Sequence, residues 1–368
     1  MSIYLCIFVR IKIKTTMNKD YNLLLKSIES RYNPENSTAV ERRAFTNLAG
    51  VEKRIAQYVK MSMAEVDEEY TNKTLQAGEA VKVHLQAEQN NVSYEYQGSV
   101  MTRTHIRGVS DIDLLTLCEK FHNTEIFKIR DILNTPYNNF SYQNERKLRN
   151  YSEAFSLYEG NSFQDLKELR RSNENIMQKY YSICDISKPK SIKIKNLHFD
   201  REVDIVTATW LDTVDYIIND NDNIYRGVKI YDKEKDITLE PDYPFLSISR
   251  INNRSSETNG RLKKMIRFLK NARTDSNRKI NLSSFDINAV CYDIDMEKYI
   301  DAYYLQLVPI IFSQLYSISN DNEHANRVKS VDGMEYIFRD HPDKLNDLRL
   351  LMYEVCDILT DLRKESVL

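Results

Sequence analysis

The chain has 368 residues, 42% hydrophobic and 29% charged, with a formal net charge of −2. It is long enough to bury a large core, and it lacks the overall basicity that marks a nucleic-acid binder. Five cysteines without a CxxC pair and six histidines without an HxxxH spacing exclude the usual zinc knuckles and disulfide frameworks, suit a reducing cytoplasmic setting, and leave oxygen ligands for any metal.

Residues 1–16 are apolar and β-prone, too short to span a bilayer and without a small-residue cleavage site. They read either as a doubtful extension before a start at Met17 or as an N-terminal strand, and no membrane segment is expected. From Ser37 to about Asn90, Leu48, Val51, Ile55, Val59 and Met63 recur at roughly helical spacing, which predicts one or two long helices. Alternation over Val92–Ser99 predicts a strand, and Ile112–Leu117 reads as a buried one. A turn-prone link joins them, running from Gly98-Ser99 through Gly108-Val109-Ser110.

Residues 124–180 are mostly helical and highly charged, broken at Thr135-Pro136 and Gly160-Asn161, and read as an insertion in the sheet. Strand character returns at Ile192–Ile194 and Glu202–Ala208. Beyond Gly260 the chain is helical, with apolar stripes at Leu262, Met265, Ile266 and Leu269 and at Leu345, Leu348, Met352, Val355, Leu359 and Leu362. The expectation is an α+β protein in which residues 17–215 build a mixed sheet with helices and residues 216–368 form a mostly helical C-terminal lobe.

The informative segment is Gln97-Gly98-Ser99 followed by Asp111-Ile112-Asp113. Residues two apart on a strand share a face, so Asp111 and Asp113 present paired carboxylates while Ile112 and Leu114 anchor the other face. Such a pair suits hard cations that also bind substrate phosphates. Glycine lets backbone approach phosphate closely, so Gly98 and Ser99 are candidates for triphosphate binding, with Gln97 beside them. A DxD pair alone is usually a solvated surface feature; the preceding GS and the apolar strand strengthen the functional reading.

This GS…DxD arrangement resembles the DNA polymerase β-type nucleotidyltransferase superfamily, and QGS followed by THIRGVSDIDLL is most similar to the bacterial cGAS/DncV-like nucleotidyltransferases. The resemblance implies a polymerase-β-like core packed against a helical lobe. It also implies two Mg²⁺ ions, with Mn²⁺ as a stand-in, held by Asp111, Asp113 and a third acid. Asp204, in Glu202-Val203-Asp204-Ile205-Val206, matches the family's hydrophobic-Asp-hydrophobic strand; Asp200 is a rival whose neighbours suggest a turn. Lys263, Arg267 and Lys270 share a helix face, which is either merely solvated or, by resemblance to the triphosphate-holding helix of such enzymes, a clamp. Ser284 and Phe285 resemble the family's serine and aromatic that contact phosphate and base, although Phe285 also reads as core.

The implied activity is synthesis of a cyclic di- or trinucleotide signal from ribonucleoside triphosphates in antiphage defence. A downstream effector would be reached through the product, and need for an activating protein is left open. Two other readings stand beside it: a nucleotidyltransferase modifying a tRNA 3′ end or a protein side chain, and a non-catalytic nucleotide-binding regulator.

Overall fold

A computed structural model describes residues 18–32, 53–106 and 111–367. The expectations for residues 1–17, for Leu48 and Val51, and for the end of the turn-prone link at 107–110 lie outside the described residues. In chain order the described elements begin with α1 (Tyr21–Tyr32), α2 (Arg54–Met63), α3 (Glu68–Gln86), β1 (Val92–Gln97) and β2 (Ile112–Thr124). Next come α4 (Ile126–Asn134), α5 (Tyr142–Ala154), α6 (Ser162–Tyr180), β3 (Cys184–Asp185), β4 (Ser191–Asn196) and β5 (Arg201–Asp212). Then follow α7 (Val214–Ile218), β6 (Gly227–Asp232), β7 (Ile237–Thr238) and α8 (Pro244–Glu257). The last are α9 (Arg261–Thr274), α10 (Ser284–Tyr292), α11 (Leu307–Asn320), α12 (Asn322–Arg327) and α13 (Pro342–Lys364).

Two compact units emerge, one from Val66–Ser256 with Val331–Glu335, the other from Met1–Glu65, Glu257–Ser330 and Tyr336–Leu368. This division differs from a boundary at 215/216. The reason is pairing: β6, in the stretch expected to be helical, adds antiparallel to the second half of β5 through Ala208↔Ile230 to Leu211↔Gly227, which keeps residues up to 256 with the sheet. At the other end, α2 packs on α9 and α1 on α2, so the N-terminal helices belong with the helical unit.

In the sheet-bearing unit the strand order is β1-β2-β5-β4-β3, with β6 beside β5 and β7 beside β6. β5 runs parallel to β2 and antiparallel to β4 and β6, so the sheet is mixed. One face carries Ile112, Leu114, Ile192, Ile194, Val203 and Ile205, packed against Ala77, Val81 and Leu85 of α3 and Ile176 and Met177 of α6. Each such side chain contributes roughly 1.5–3 kcal/mol on burial, which fixes which face of each strand points at the helices. On the opposite face Leu115, Leu117, Val206, Ala208, Trp210 and Val228 form a second cluster, with Phe245 of α8 packed on it. α3 starts where the Asp67 side chain accepts from the Glu69 amide, with Glu68 and Glu69 in the first turn, as an N-cap and the helix dipole favour.

The helical unit buries Leu262, Met265, Ile266, Phe268 and Leu269 of α9 and Leu348, Leu351, Val355, Leu359 and Leu362 of α13. Two carboxylates are embedded in it with donors around them. Asp361 accepts from the Asn18 and Lys19 amides and the Tyr21 hydroxyl, and Asp275 accepts from Arg31 and Tyr58. No described helix is long and apolar enough to cross a membrane.

Candidate active site

The sheet lines up a polar row on its face away from α3 and α6. Gln97 pairs in register with Asp113, Asp113 with Asp204, Asp204 with Lys193, and Lys193 with Asp185, one residue from each of five strands. Directly opposed residues share a face at short spacing, so the parallel β2–β5 register is what brings Asp113 and Asp204 together. Asp200, the rival third acid, sits in the β4–β5 turn at φ +52° and pairs with Lys195 at 2.7 Å.

Burial and the neighbouring carboxylates of Asp204 and Asp111 push the Asp113 carboxyl up to about 7. Burial raises Asp204 as well, with Lys188 opposing the shift. Asp204 Oδ1 is buried without a hydrogen-bond partner; Lys188 Nζ lies 3.7 Å from it, near enough for attraction and too far to donate. Asp111 is held differently. Lys193 Nζ donates to its Oδ2 at 2.5 Å and reaches Glu202 Oε2 at 2.6 Å.

Gly98 stands at φ +85°, and a Cβ on it would fall 2.4 Å from Asp113 Oδ2, so only glycine leaves this carboxylate its place. The loop beyond is closed by the Thr104 amide donating to the Ser99 carbonyl at 2.9 Å and the Thr102 hydroxyl donating to the same carbonyl at 3.1 Å. Gln97 stands in register with Asp113 and Gly98 lies against its carboxylate, while Ser99 follows in the closed loop.

The remaining candidates belong to the helical unit. On α9, Arg267 and Lys270 lie on the buried side. Arg267 donates from Nε to the Met63 carbonyl at 2.8 Å, and its Nη1 is 3.4 Å from Glu65, so this guanidinium ties α9 to the end of α2, a role absent from the clamp expectation. Burial, with Arg273 and Arg267 nearby, lowers Lys270 to about 7. Lys263 is half-buried. Ser283 forms the N-cap and capping box of α10 with Asp286, while Ser284 and Phe285 are half-buried in its first turn.

Residues 249–360 match the family profile of the cGAS/DncV-like nucleotidyltransferase C-terminal helical domain. A c-di-GMP synthase of Lachnospiraceae bacterium (strain RUG226) is 51% identical over 93% of this chain and 99% of its own length. The chain belongs to the cGAS/DncV-like nucleotidyltransferases. Two solved structures agree: the STING-associated CdnE c-di-GMP synthase from Flavobacteriaceae sp. (TM-score 0.83, 35% identity, 94% of this chain and 99% of that one) and that from Capnocytophaga granulosa (TM-score 0.77, 41% identity, 95% and 100%). The polymerase-β-like core with a helical C-terminal region is therefore its fold.

Such nucleotidyltransferases typically work with bound metal, and the residues here suit a hard cation. A raised, half-buried Asp113, an orphaned Asp204 oxygen and a cradle that a Cβ would fill make an oxygen-lined, negatively charged spot of the kind Mg²⁺ takes. Among the described residues no three His, Cys, Asp or Glu side chains already converge as a metal-holding group, and Lys193 and Lys188 face the acids instead. Lys193, Glu202 and Lys188 join the site without belonging to any sequence motif. Alternation in Ser191–Asn196 and Arg201–Asp212 puts Lys193, Glu202 and Asp204 on the polar faces of their strands, but only the β4–β5 register reveals that they meet.

Proposed function

We propose that this nucleotidyltransferase is a cyclic dinucleotide synthase that joins two GTP molecules into c-di-GMP. The observation that carries this reading is the Asp113–Asp204 register beside Gly98, in a chain whose relatives, similar over nearly their full length, are c-di-GMP synthases. In each of two steps a ribose hydroxyl of one nucleotide attacks the α-phosphorus of the other. A P–O ester bond forms, the bond to pyrophosphate breaks, and the hydroxyl proton is released.

Asp111, Asp113 and Asp204 are the residues that would hold two Mg²⁺ ions. When bound, such ions supply charge that acidifies the attacking hydroxyl and stabilises the leaving pyrophosphate. Asp113 gives up the proton that burial and its neighbours favour. Gly98 keeps the backbone low beside Asp113, and Gln97 and Ser99 border the donor nucleotide. In the helical unit the proposal assigns Lys263, Arg267, Lys270 and Ser284 to triphosphate and Phe285 to the base. Most of the rate enhancement is then positioning and charge neutralisation. Two solved relatives are described as STING-associated, which supports a cytoplasmic signalling role in antiphage defence with an effector of that kind.

The test incubates the protein with each ribonucleoside triphosphate, singly and mixed, in Mg²⁺ or Mn²⁺, then applies phosphatase and mass spectrometry. The expected product is phosphatase-resistant c-di-GMP from GTP alone. Asp111→Asn and Asp113→Asn should lower turnover by about 10²–10³-fold or more, the order seen when one charge-stabilising group is removed. Undiminished synthesis in either variant, or a linear or protein-linked product, would overturn the reading.

A further inference from the structure

Lys193 is anchored where a cation is wanted. Its neighbours on β4, Ile192 and Ile194, are fully buried against the helix-covered face, so the backbone carrying Lys193 is fixed and its side chain rises on the acidic face. There it stands in register with Asp204 and its ammonium bridges Asp111 at 2.5 Å and Glu202 at 2.6 Å. Lys188 approaches Asp204 at 3.7 Å from the preceding loop, a loop braced by Arg170, which donates to the carbonyls of Lys188 and Ser191. Four carboxylates, Asp111, Asp113, Asp204 and Glu202, thus face two ammonium groups.

We propose that Lys193 is a positioning residue that stands in for a cation in the metal-free enzyme, engaging Asp111 until a divalent ion exchanges with it. The inference rests on the reading of Asp111, Asp113 and Asp204 as metal-holding acids. Glu202 makes the exchange feasible within the strand pair. Two residues from Asp204 on the same face of β5, it already contacts Lys193, so the ammonium can leave Asp111 and keep a counter-ion. Without Lys193, Asp111 has lost a competitor and the site a repelling positive charge, and a divalent cation should bind more tightly. Lys195, on the same strand and face, pairs with Asp200 in the turn and has no such role.

The test measures Mn²⁺ binding to the full chain without nucleotide, by the loss of the free-ion signal in electron paramagnetic resonance. Wild type is compared with Lys193→Met, which keeps an apolar stem, with Lys193→Arg, which keeps the charge, and with Lys195→Met. The expected result is roughly tenfold tighter binding in Lys193→Met, as removal of one close like charge implies, with the other two variants near wild type. Thermal unfolding supplies a second readout: metal-free Lys193→Met should melt lower than wild type, and saturating Mn²⁺ should close the gap. Equal or weaker Mn²⁺ binding in Lys193→Met, or an Arg variant that behaves like the Met variant, would overturn the role of Lys193 while leaving the metal reading intact. Absence of Mn²⁺ binding in every protein, wild type included, would overturn the metal reading and this inference together.

Discussion

Asp113 carries a cost that the metal-free protein bears at neutral pH. Its pKa in the folded chain is raised to about 7 by burial and by Asp204 and Asp111, so its ionised form is disfavoured where the enzyme works. For a carboxyl raised in this way, the stabilisation relative to the unfolded chain is full below about pH 4 and disappears as pH climbs through about 7. Asp113→Asn should therefore stabilise the metal-free protein at neutral pH by something on the order of 2–4 kcal/mol, even as it lowers turnover by the factor expected above. Urea unfolding at about pH 4 and about pH 8 checks this: the gain should be present at the higher pH and nearly absent at the lower. Protons and metal compete for the same carboxylate, so wild-type Mn²⁺ affinity should fall as pH drops below 7. At this scale the DxD face was legible because strand periodicity is strict. The exchange partner Lys193 was not, since it lies 80 positions beyond Asp113 and is joined to the acids only through hydrogen-bonded register.

Register is a property of elements, and here a helix guards it. Asn173, fully buried on α6, donates from Nδ2 to Thr116 Oγ1 at 2.7 Å and to Thr207 Oγ1 at 3.0 Å. These threonines are opposed across β2 and β5, three residues beyond Asp113 and Asp204 respectively. The amide thus pins the strand pair that sets Asp113 beside Asp204. Asn173→Leu would take this donor from both hydroxyls, leaving Thr116 its bond to the Val206 carbonyl, and would take an acceptor from Gln89; each buried group left unsatisfied costs about 1–3 kcal/mol. Turnover should fall along with the denaturation midpoint; a variant that loses neither would remove Asn173 from this role. Sequence periodicity disclosed β1, β4 and the cores of β2 and β5, because alternating or continuous apolar runs are distinctive. It missed β6, whose short run Gly227–Asp232 becomes a strand by adding to the free half of β5. No local pattern carries that tertiary fact.

Across the whole molecule, two groups are charged against their surroundings in opposite senses. Asp113, in the sheet-bearing unit, is raised to about 7; Lys270, in the helical unit, is lowered to about 7 by burial and by Arg273 and Arg267. For a lysine lowered in this way the stabilisation is full above its ordinary value near 10.5 and is lost as pH falls through about 7. The two penalties therefore overlap most strongly at neutrality, where the ligands proposed for them, a divalent cation and a triphosphate, would relieve each. The combined penalty of these two groups is accordingly largest where the proposed ligands would relieve it, a linkage that favours the loaded enzyme. Lys270→Met isolates the basic half of this argument. It should raise stability at about pH 7 by a few kcal/mol and lose that advantage by about pH 10. It should also diminish the rise in melting temperature that GTP gives wild type. Chemical denaturation across that range, with and without GTP, measures both effects; a Met variant no more stable than wild type at neutrality would show that the fold accommodates the Lys270 ammonium without penalty and would end the argument for a poised basic site.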